Sequence, residues 1–258
     1  MALLYKGDNL KALAQIKAPV DFIYIDPPFF SKADYGNYDD RWKDLDSYLS
    51  FVKTRLVKLK DILSDTGLIA VHLDWHAVHY VKVMMDELFG YDNFVNEIIW
   101  AYKSGGASPR SFARKHDTIL LYSKTKDYFF NPQKEKSYNR EGRPYHFKGV
   151  EEFSDENGWY TLVNQKDVIN IDMVGRTSSE RTGYATQKPE ALLSLLIKAC
   201  TKEGDLVLDI FAGSGTTGAA AFKNNRDFIL CDEQEESIEI IKNRLDSLGA
   251  KYEIIDCK

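Results

Sequence analysis

The chain has 258 residues, 44% of them hydrophobic, a net charge of −5, and ordinary counts of glycine (16) and proline (7). These figures describe one large globular domain, or one domain with a small insertion, and exclude a fibrous or disordered chain. No apolar run approaches the ~20 residues of a membrane span and the start MALLYKGDNL lacks a signal pattern, so a cytoplasmic protein is expected. Cys200, Cys231 and Cys257 are far apart and form no CxxC pair, which argues against a disulfide framework or a zinc site and for buried thiols.

Residues 2–6 (ALLYK) predict a strand that stops at Gly7-Asp8, and Leu10–Ile16 a helix. Val20–Ile25 is nearly continuous in apolar residues, as suits a parallel strand buried on both faces. Tyr48–Leu63 predicts a helix through Leu49, Val52, Leu56, Leu59 and Leu63. LIAVHLD (68–74) reads as a strand, Ala77–Leu88 as a helix stopped by Gly90, and Ile98–Tyr102 and Thr118–Tyr122 as strands. From 129 to 171 no period is sustained, which suggests an inserted subdomain or loop array.

The rhythm then returns. Pro189 suits the first turn of a helix, Glu190–Cys200. Leu206–Ile210 is a strand, Gly218–Lys223 a helix, Asp227–Cys231 a strand, Ser237–Leu248 a helix and Tyr252–Ile255 an edge strand. This alternation predicts an α/β fold with a doubly wound, mostly parallel sheet. The expected divisions are 1–128, an insertion 129–172, and 173–258. In such sheets ligands sit beyond the carboxyl ends of the strands. Asp8, Asp26, His72, Asp74, Phe211 and Asp232 all fall at or near such ends.

Two stretches carry chemistry. In LVLDIFAGSGTTG (206–218), Gly213 and Gly215 remove side chains where backbone approaches a ligand. Asp232 ends the next strand 19 residues beyond Gly213, where an acid accepts the hydroxyls of a ribose. Neither GxGxxG nor GxxxxGK[ST] is present, so an adenosine-containing ligand other than NAD or ATP is expected. The second stretch is DPPF, Asp26–Phe29. Its prolines fix two backbone angles and donate no hydrogen bonds. Asp26 and the Pro27 carbonyl become rigid acceptors beside the Phe29 ring, a combination suited to a planar NH2 on an aromatic ring. Phe30 either extends that stacking surface or packs under the following loop.

DPPF, DIFAGSGTTG and GYATQKPEALL, in this order, resemble the amino-methylating DNA methyltransferases of the beta group, which use S-adenosylmethionine. DRW (40–42), VHLD (71–74), DELFG (86–90) and NEIIW (96–100) are also similar to the modification subunits of type III restriction systems. The resemblance spans nearly the whole chain. It implies a Rossmann-like class I methyltransferase with a small inserted target-recognition region. Asp26, Pro27, Pro28 and Phe29 match the catalytic motif. Phe211, Ala212, Gly213, Ser214, Gly215 and Thr216 match the loop lining the methionine part of the cofactor, with Asp209 at its base. Asp232 matches the ribose acid, Asp8 the acid near the cofactor adenine, and Thr186, Gln187 and Lys188 the motif beside the cofactor carboxylate. The family pattern usually has Gly and an aliphatic residue before the ribose acid, where this chain has Leu230 and Cys231.

The implied reaction moves a methyl to N6 of a flipped adenine in DNA, leaving S-adenosylhomocysteine, and needs no metal. The acid in DPPF favours adenine, because cytosine-N4 enzymes of the resembling group more often carry Ser there. The alternatives are a cytosine-N4 enzyme, transfer to RNA or a protein amide, and a non-catalytic cofactor-binding DNA module of a restriction or defence complex. Between Ala101 and Lys148 stand eleven Lys/Arg against four acids, so this window carries +7 and the remainder −12. Lys103, Arg110, Arg114 and Lys115, around Ser104-Gly105-Gly106, are the candidate phosphate contacts. His72 and Asp74 read either as neighbours of the flipped base or as structural groups, and Trp100 as a core residue or a DNA contact. A homodimer or an additional subunit is compatible with the resemblance.

Overall fold

The computed structural model of the protein describes residues 1–31, 40–103 and 107–257. In chain order the strands are β1 (Ala2–Gly7), β2 (Val20–Ile25), β3 (Leu63–Leu73), β4 (Phe94–Ala101), β5 (His116–Ser123), β6 (Lys134–Tyr138), β7 (Phe153–Asp155), β8 (Gly158–Asn164), β9 (Val168–Asn170), β10 (Leu206–Asp209), β11 (Asp227–Asp232) and β12 (Glu253–Cys257). The helices are α1 (Asn9–Gln15), α2 (Leu45–Ile62), α3 (Val78–Phe89), α4 (Glu190–Cys200), α5 (Thr216–Lys223) and α6 (Glu235–Ser247). Helix α2 starts three residues before the expected Tyr48, because Asp44 and Ser47 form a reciprocal capping box ahead of it.

Nine strands form one sheet in the order β12-β1-β11-β10-β2-β3-β5-β4-β9. Neighbours from β12 to β3 are parallel, β5 runs antiparallel to β3 and β4, and β9 is parallel to β4. Strand alternation divides the core into two layers. Ile23, Ile25, Ile69 and Val71 face α1–α3 with Leu13, Val52, Leu56 and Val81. Phe22, Tyr24, Leu68 and Ala70 face α4–α6 with Leu192, Ala220, Ile241 and Leu245. Each such fully buried large apolar side chain contributes about 1.5–3 kcal/mol. Both faces are covered, which is why β2 reads as one apolar run.

Strands β2 and β10 are adjacent, with Val207 paired to Phe22. The chain leaves β2 toward the α2 layer and leaves β10 toward the α5 layer. That divergence opens a crevice at the carboxyl ends of the two strands, the usual ligand position of doubly wound sheets.

The stretch without periodicity yields a separate antiparallel sheet, β6-β8-β7. Its strands are short and half exposed, and an aromatic row of Phe153, Tyr160 and Tyr138 runs across it. The end of the stretch behaves differently: β9 joins the main sheet beside Ile99–Ala101, with Ile169 buried. The free cysteines Cys200, Cys231 and Cys257 are all buried. No helix of the described residues is long and apolar enough to cross a membrane.

Candidate active site

The crevice is a cavity of about 430 Å³ lined from both halves of the chain. Asp26, Pro27, Pro28 and Phe29 form one side. Thr186, Gln187, Lys188, Asp209, Phe211, Ala212, Gly213, Ser214, Thr216 and Asp232 form the other.

On the first side, Asp26 Oδ2 accepts a hydrogen bond from the Lys188 ammonium. Asp26 Oδ1 is buried and has no hydrogen-bond partner among the described residues. Such an oxygen loses roughly 1–3 kcal/mol of hydration without return unless a donor reaches it. Phe29 stacks on His72 with ring centroids 6.0 Å apart and planes 24° from parallel. Phe30, in contrast, turns away at φ +63° and packs on Tyr48. That left-handed backbone is uncommon for a bulky residue. Asp40 holds it: its carboxylate accepts from Phe30 N (3.0 Å), Ser31 N (2.7 Å), Ser31 Oγ (2.6 Å) and Trp42 Nε1 (3.0 Å).

Under Phe29 lies a buried polar chain. Tyr24 Oη and His72 Nδ1 are 2.7 Å apart, His72 Nε2 and Asp117 Oδ2 are 3.2 Å apart, and Tyr102 Oη donates to Asp117 Oδ1 at 3.1 Å. Burial alone would raise the Asp117 carboxyl, but the His72 contact, the Lys188 charge and the Tyr102 bond outweigh it and hold it below the usual range. His72 is fully buried behind Phe29 and does not itself line the cavity. Asp74 lines the cavity and accepts from His76 N (2.9 Å) and Nδ1 (2.6 Å), while burial, the largest influence, raises its carboxyl. Trp100 is in the core, its indole donating to Ile171 O at 2.7 Å, and its edge also reaches the cavity.

On the second side, Asp232 Oδ2 accepts from Gly213 N at 2.8 Å and Oδ1 from Gln234 N at 3.0 Å. The 19-residue spacing thus closes into a direct bond between turn and acid. Burial raises the Asp232 carboxyl despite these donors. Asp209 accepts from Phe211 N (2.9 Å) and Thr217 Oγ1 (2.6 Å), and burial pushes its carboxyl up to about 7.

The glycines serve the protein's own packing more than the sequence suggests. Gly213 has φ +50°, and a Cβ there would stand 3.0 Å from the Tyr184 ring. Gly215 has φ +72° and faces Ile241 of α6, also at 3.0 Å, outside the cavity lining. Gly215, expected from sequence to give a ligand room, stands off the cavity lining, and its missing side chain makes room for α6. Gly218, unassigned from sequence, lets α5 cross β11, since a Cβ there would lie 2.6 Å from Leu230. Asp8 is likewise engaged locally, capping α1 through Lys11 N at 3.0 Å, and its neighbours Gly7 and Asn9 line the cavity. Gln187 spends its amide inside its own turn, accepting from Thr182 N and Oγ1 and donating to Glu180 O.

Several lining or supporting residues carry no motif signal. Arg55 donates from Nε to Asn9 Oδ1 at 2.8 Å and lies 3.4 Å over the Phe51 ring, and Phe51 packs on Phe211. Arg244 donates to Ser214 O and Thr216 Oγ1 at 3.0 Å each and to Glu190 at 2.8 Å, tying α6 to the glycine turn and α4. Their spacing in sequence is long, so only the fold brings them together.

The basic window is divided. Lys124 and Lys126 bond Leu63 O and Asp92 O, and Lys124 N bonds Gly67 O at the end of the sheet away from the cavity. Lys136 pairs with Asp155. At the cavity end, Lys103 pairs with Asp172 at 3.5 Å, Arg110 is exposed, and the Arg114 guanidinium lies 3.8 Å over Trp75. The Lys115 carbonyl accepts from Tyr102 N, which roots this loop at the cavity rim. Ser104, Gly105 and Gly106 lie outside the described residues. Among the described residues no group of three or more His, Cys, Asp or Glu is placed to hold a metal.

Type II methyltransferase M.HpaI of Haemophilus parainfluenzae is 31% identical over 97% of this chain and 76% of its own length. The DNA adenine methyltransferase YhdJ of Escherichia coli K12 is 28% identical, with 93% and 81% covered. Among solved structures, the M1.HpyAVI–SAM complex superimposes with a TM-score of 0.65 over 95% of this chain and 100% of its own, at 21% identity, and so supports the Rossmann-like class I methyltransferase fold. Residues 20–243 match the DNA methylase family, N6_N4_Mtase. With its DPPF, TQKP and FAGSG motifs gathered around one crevice in the beta-group order, the chain belongs to the DNA methylase family.

Proposed function

We propose that the protein transfers the methyl group of S-adenosylmethionine to N6 of an adenine turned out of duplex DNA. The observation that carries this is the buried, unpartnered Asp26 Oδ1 on a Pro-Pro corner beside Phe29. A planar amine supplies the donor that this oxygen lacks, and its ring takes the Phe29 face. The adenine preference is supported by the carboxylate at position 26 and by the relative named a DNA adenine methyltransferase.

The cofactor half fits as well. Asp232 is a half-buried carboxylate fixed by two backbone donors at the mouth of the glycine turn, which supports its reading as the acceptor of ribose hydroxyls. Phe211, Ala212, Gly213, Ser214 and Thr216 border the methionine part, and Thr186, Gln187 and Lys188 bring a cation to its carboxylate. Asp8 acts through the α1 cap, presenting Gly7 and Asn9 to the adenine end. When bound, S-adenosylmethionine supplies a methyl on a positively charged sulfur, already activated for transfer. The protein's part is positioning. Asp26 and the Pro27 carbonyl hold the amine hydrogens and turn the nitrogen lone pair toward the cofactor half. A base within a duplex cannot enter the crevice, so it is flipped.

The functional divisions are 1–128 for the catalytic half, 129–172 for target recognition and 173–258 for the cofactor half. Lys103, Arg110, Arg114 and Lys115 grip phosphates at the rim, and a second copy of the chain or another polypeptide completes the hold on DNA. Such a substrate places the protein in the cytoplasm.

The test is methyl transfer from labelled cofactor to unmethylated genomic DNA, read by nucleoside mass spectrometry. N6-methyladenine is expected. N4-methylcytosine in its place would overturn the target assignment, and no transfer would leave a cofactor-binding DNA module. Asp26→Ala is expected to lose transfer while keeping most cofactor affinity.

A further inference from the structure

The Lys188 ammonium crowds the place where a base amine has to go: Asp26 Oδ1 is open, but Oδ2 of the same carboxylate and the Phe29 face are taken. The ammonium bonds Asp26 Oδ2, and its nitrogen lies 5.2 Å from the centroid of the Phe29 ring. Those are the two groups, carboxylate and aromatic face, that suit an amine on a planar ring. A charge-assisted bond is about twice as strong as a neutral one. A neutral base amine therefore cannot displace this ammonium by itself. The pair is also poorly hydrated, with side-chain exposures of 10% and 18%, so water offers little compensation for separating it. Asp117 is a second carboxylate near Lys188: after its His72 contact, the Lys188 charge helps hold the Asp117 carboxyl down against burial. Both anions pull the ammonium toward the base side.

The root of Lys188 is fixed in the cofactor half, while its ammonium is held in the base half. Thr216 Oγ1 donates to the Lys188 carbonyl at 3.1 Å, and Thr216 is itself held by Arg244. The backbone of the TQKP turn thus belongs to the cofactor half, and a four-carbon stem carries the charge across to the base half. Only another anion near that root offsets the loss of the Asp26 bond.

We propose that Lys188 is a positioning residue that couples the two halves: its ammonium guards Asp26 against an amine and releases it to a carboxylate bound beside the TQKP turn. This rests on the functional reading above. A ligand carboxylate in the cofactor half then raises the affinity of the base half for an amine, and by linkage the amine raises affinity for that ligand equally. Binding becomes ordered, cofactor before base.

The test uses the full chain and a duplex containing a site that the enzyme methylates, with either adenine or purine at the target position. Purine lacks the amine, so the adenine-over-purine ratio of dissociation constants, read by fluorescence anisotropy, reports the Asp26–amine contact. It is measured without ligand, with saturating S-adenosylhomocysteine, and with saturating methylthioadenosine, which has the nucleoside and thioether but no carboxylate. S-adenosylhomocysteine is expected to raise the ratio about tenfold, within the usual range of coupling between sites, and methylthioadenosine to leave it unchanged. Lys188→Met is expected to show the raised ratio under all three conditions. Equal effects of the two compounds, or a Lys188→Met protein that responds as the wild type does, would overturn the proposal. Should Lys188→Met not fold, the comparison of the two compounds on wild-type protein decides alone. A wild-type protein that binds neither compound sinks the functional reading itself. One that binds and methylates while the compounds act alike sinks only the coupling.

Discussion

Replacing Asp40 by alanine tests whether the tip of β2 is held in place by one buried carboxylate. Asp40 is fully buried and accepts four bonds, from two backbone N–H groups, one hydroxyl and one indole. Hydrogen bonds to a charged acceptor are worth about 1.5–3 kcal/mol each, but they share one acceptor and do not add. Phe30 and Ser31 are only partly buried, so water recovers some of the loss. The net cost expected is about 3 kcal/mol, set by the indole and by the Phe30 and Ser31 N–H groups that lose this acceptor. For a chain of this size that corresponds to a fall in Tm of about 6–12 °C. The DPPF tip loosens with it, so kcat for methyl transfer is expected to fall at least tenfold while cofactor affinity, supplied by the other half of the crevice, changes less than twofold. Scanning calorimetry, single-turnover transfer and cofactor titration read the three quantities. Asp40→Asn, with one acceptor oxygen left, falls between. A variant within 0.5 kcal/mol of wild type with full transfer would refute the assignment of Asp40 as the anchor of the tip.

The two glycines of the turn separate packing from ligand contact. Gly215→Ala meets Ile241 at a left-handed φ and is expected to cost ~1–2 kcal/mol by denaturant titration with cofactor affinity unchanged. Gly213→Ala presses on Tyr184, which lines the cavity, and is expected to weaken cofactor binding as well; calorimetry showing equal affinities for the two variants would refute that distinction. Asp209 gives a pH dependence whose sign follows from its raised carboxyl. Folded Asp209 keeps its proton up to about pH 7, whereas the unfolded chain releases it near the ordinary 3.8. The folded state binds more protons between these values, so its contribution to stability is complete below about pH 4 and is lost as pH rises through about 7. Asp209→Asn is expected to flatten the fall in denaturant midpoint between pH 5 and 8, and an unaltered slope would contradict it. Arg244→Met leaves Glu190 with Lys223 as its cationic partner among the described residues and frees Ser214 O, and a loss of about 1–3 kcal/mol in unfolding free energy is expected by denaturant titration.

The alternation of strands and helices was legible because apolar spacing is a local property, and it placed β2, β10, β11 and α4 within a residue or two. The motif chemistry was legible for a similar reason. Asp26–Phe29 and Phe211–Gly213 are short runs whose residue types constrain their own backbone. What tertiary structure decided are the contacts that join distant segments. Asp40 behind Phe30, His72 between Tyr24 and Asp117, Arg244 across three elements, and Lys188 on Asp26 across 162 residues leave no trace in local spacing. The stretch 129–172 was opaque because its strands are short and half exposed, so neither face repeats an apolar period, and only pairing showed β6-β8-β7 as a sheet and β9 as an edge of the main one. Sequence showed that a glycine was needed at 213 and 215. The fold showed what each one faces, because the direction of a missing Cβ depends on which helix or ring the chain brings opposite it.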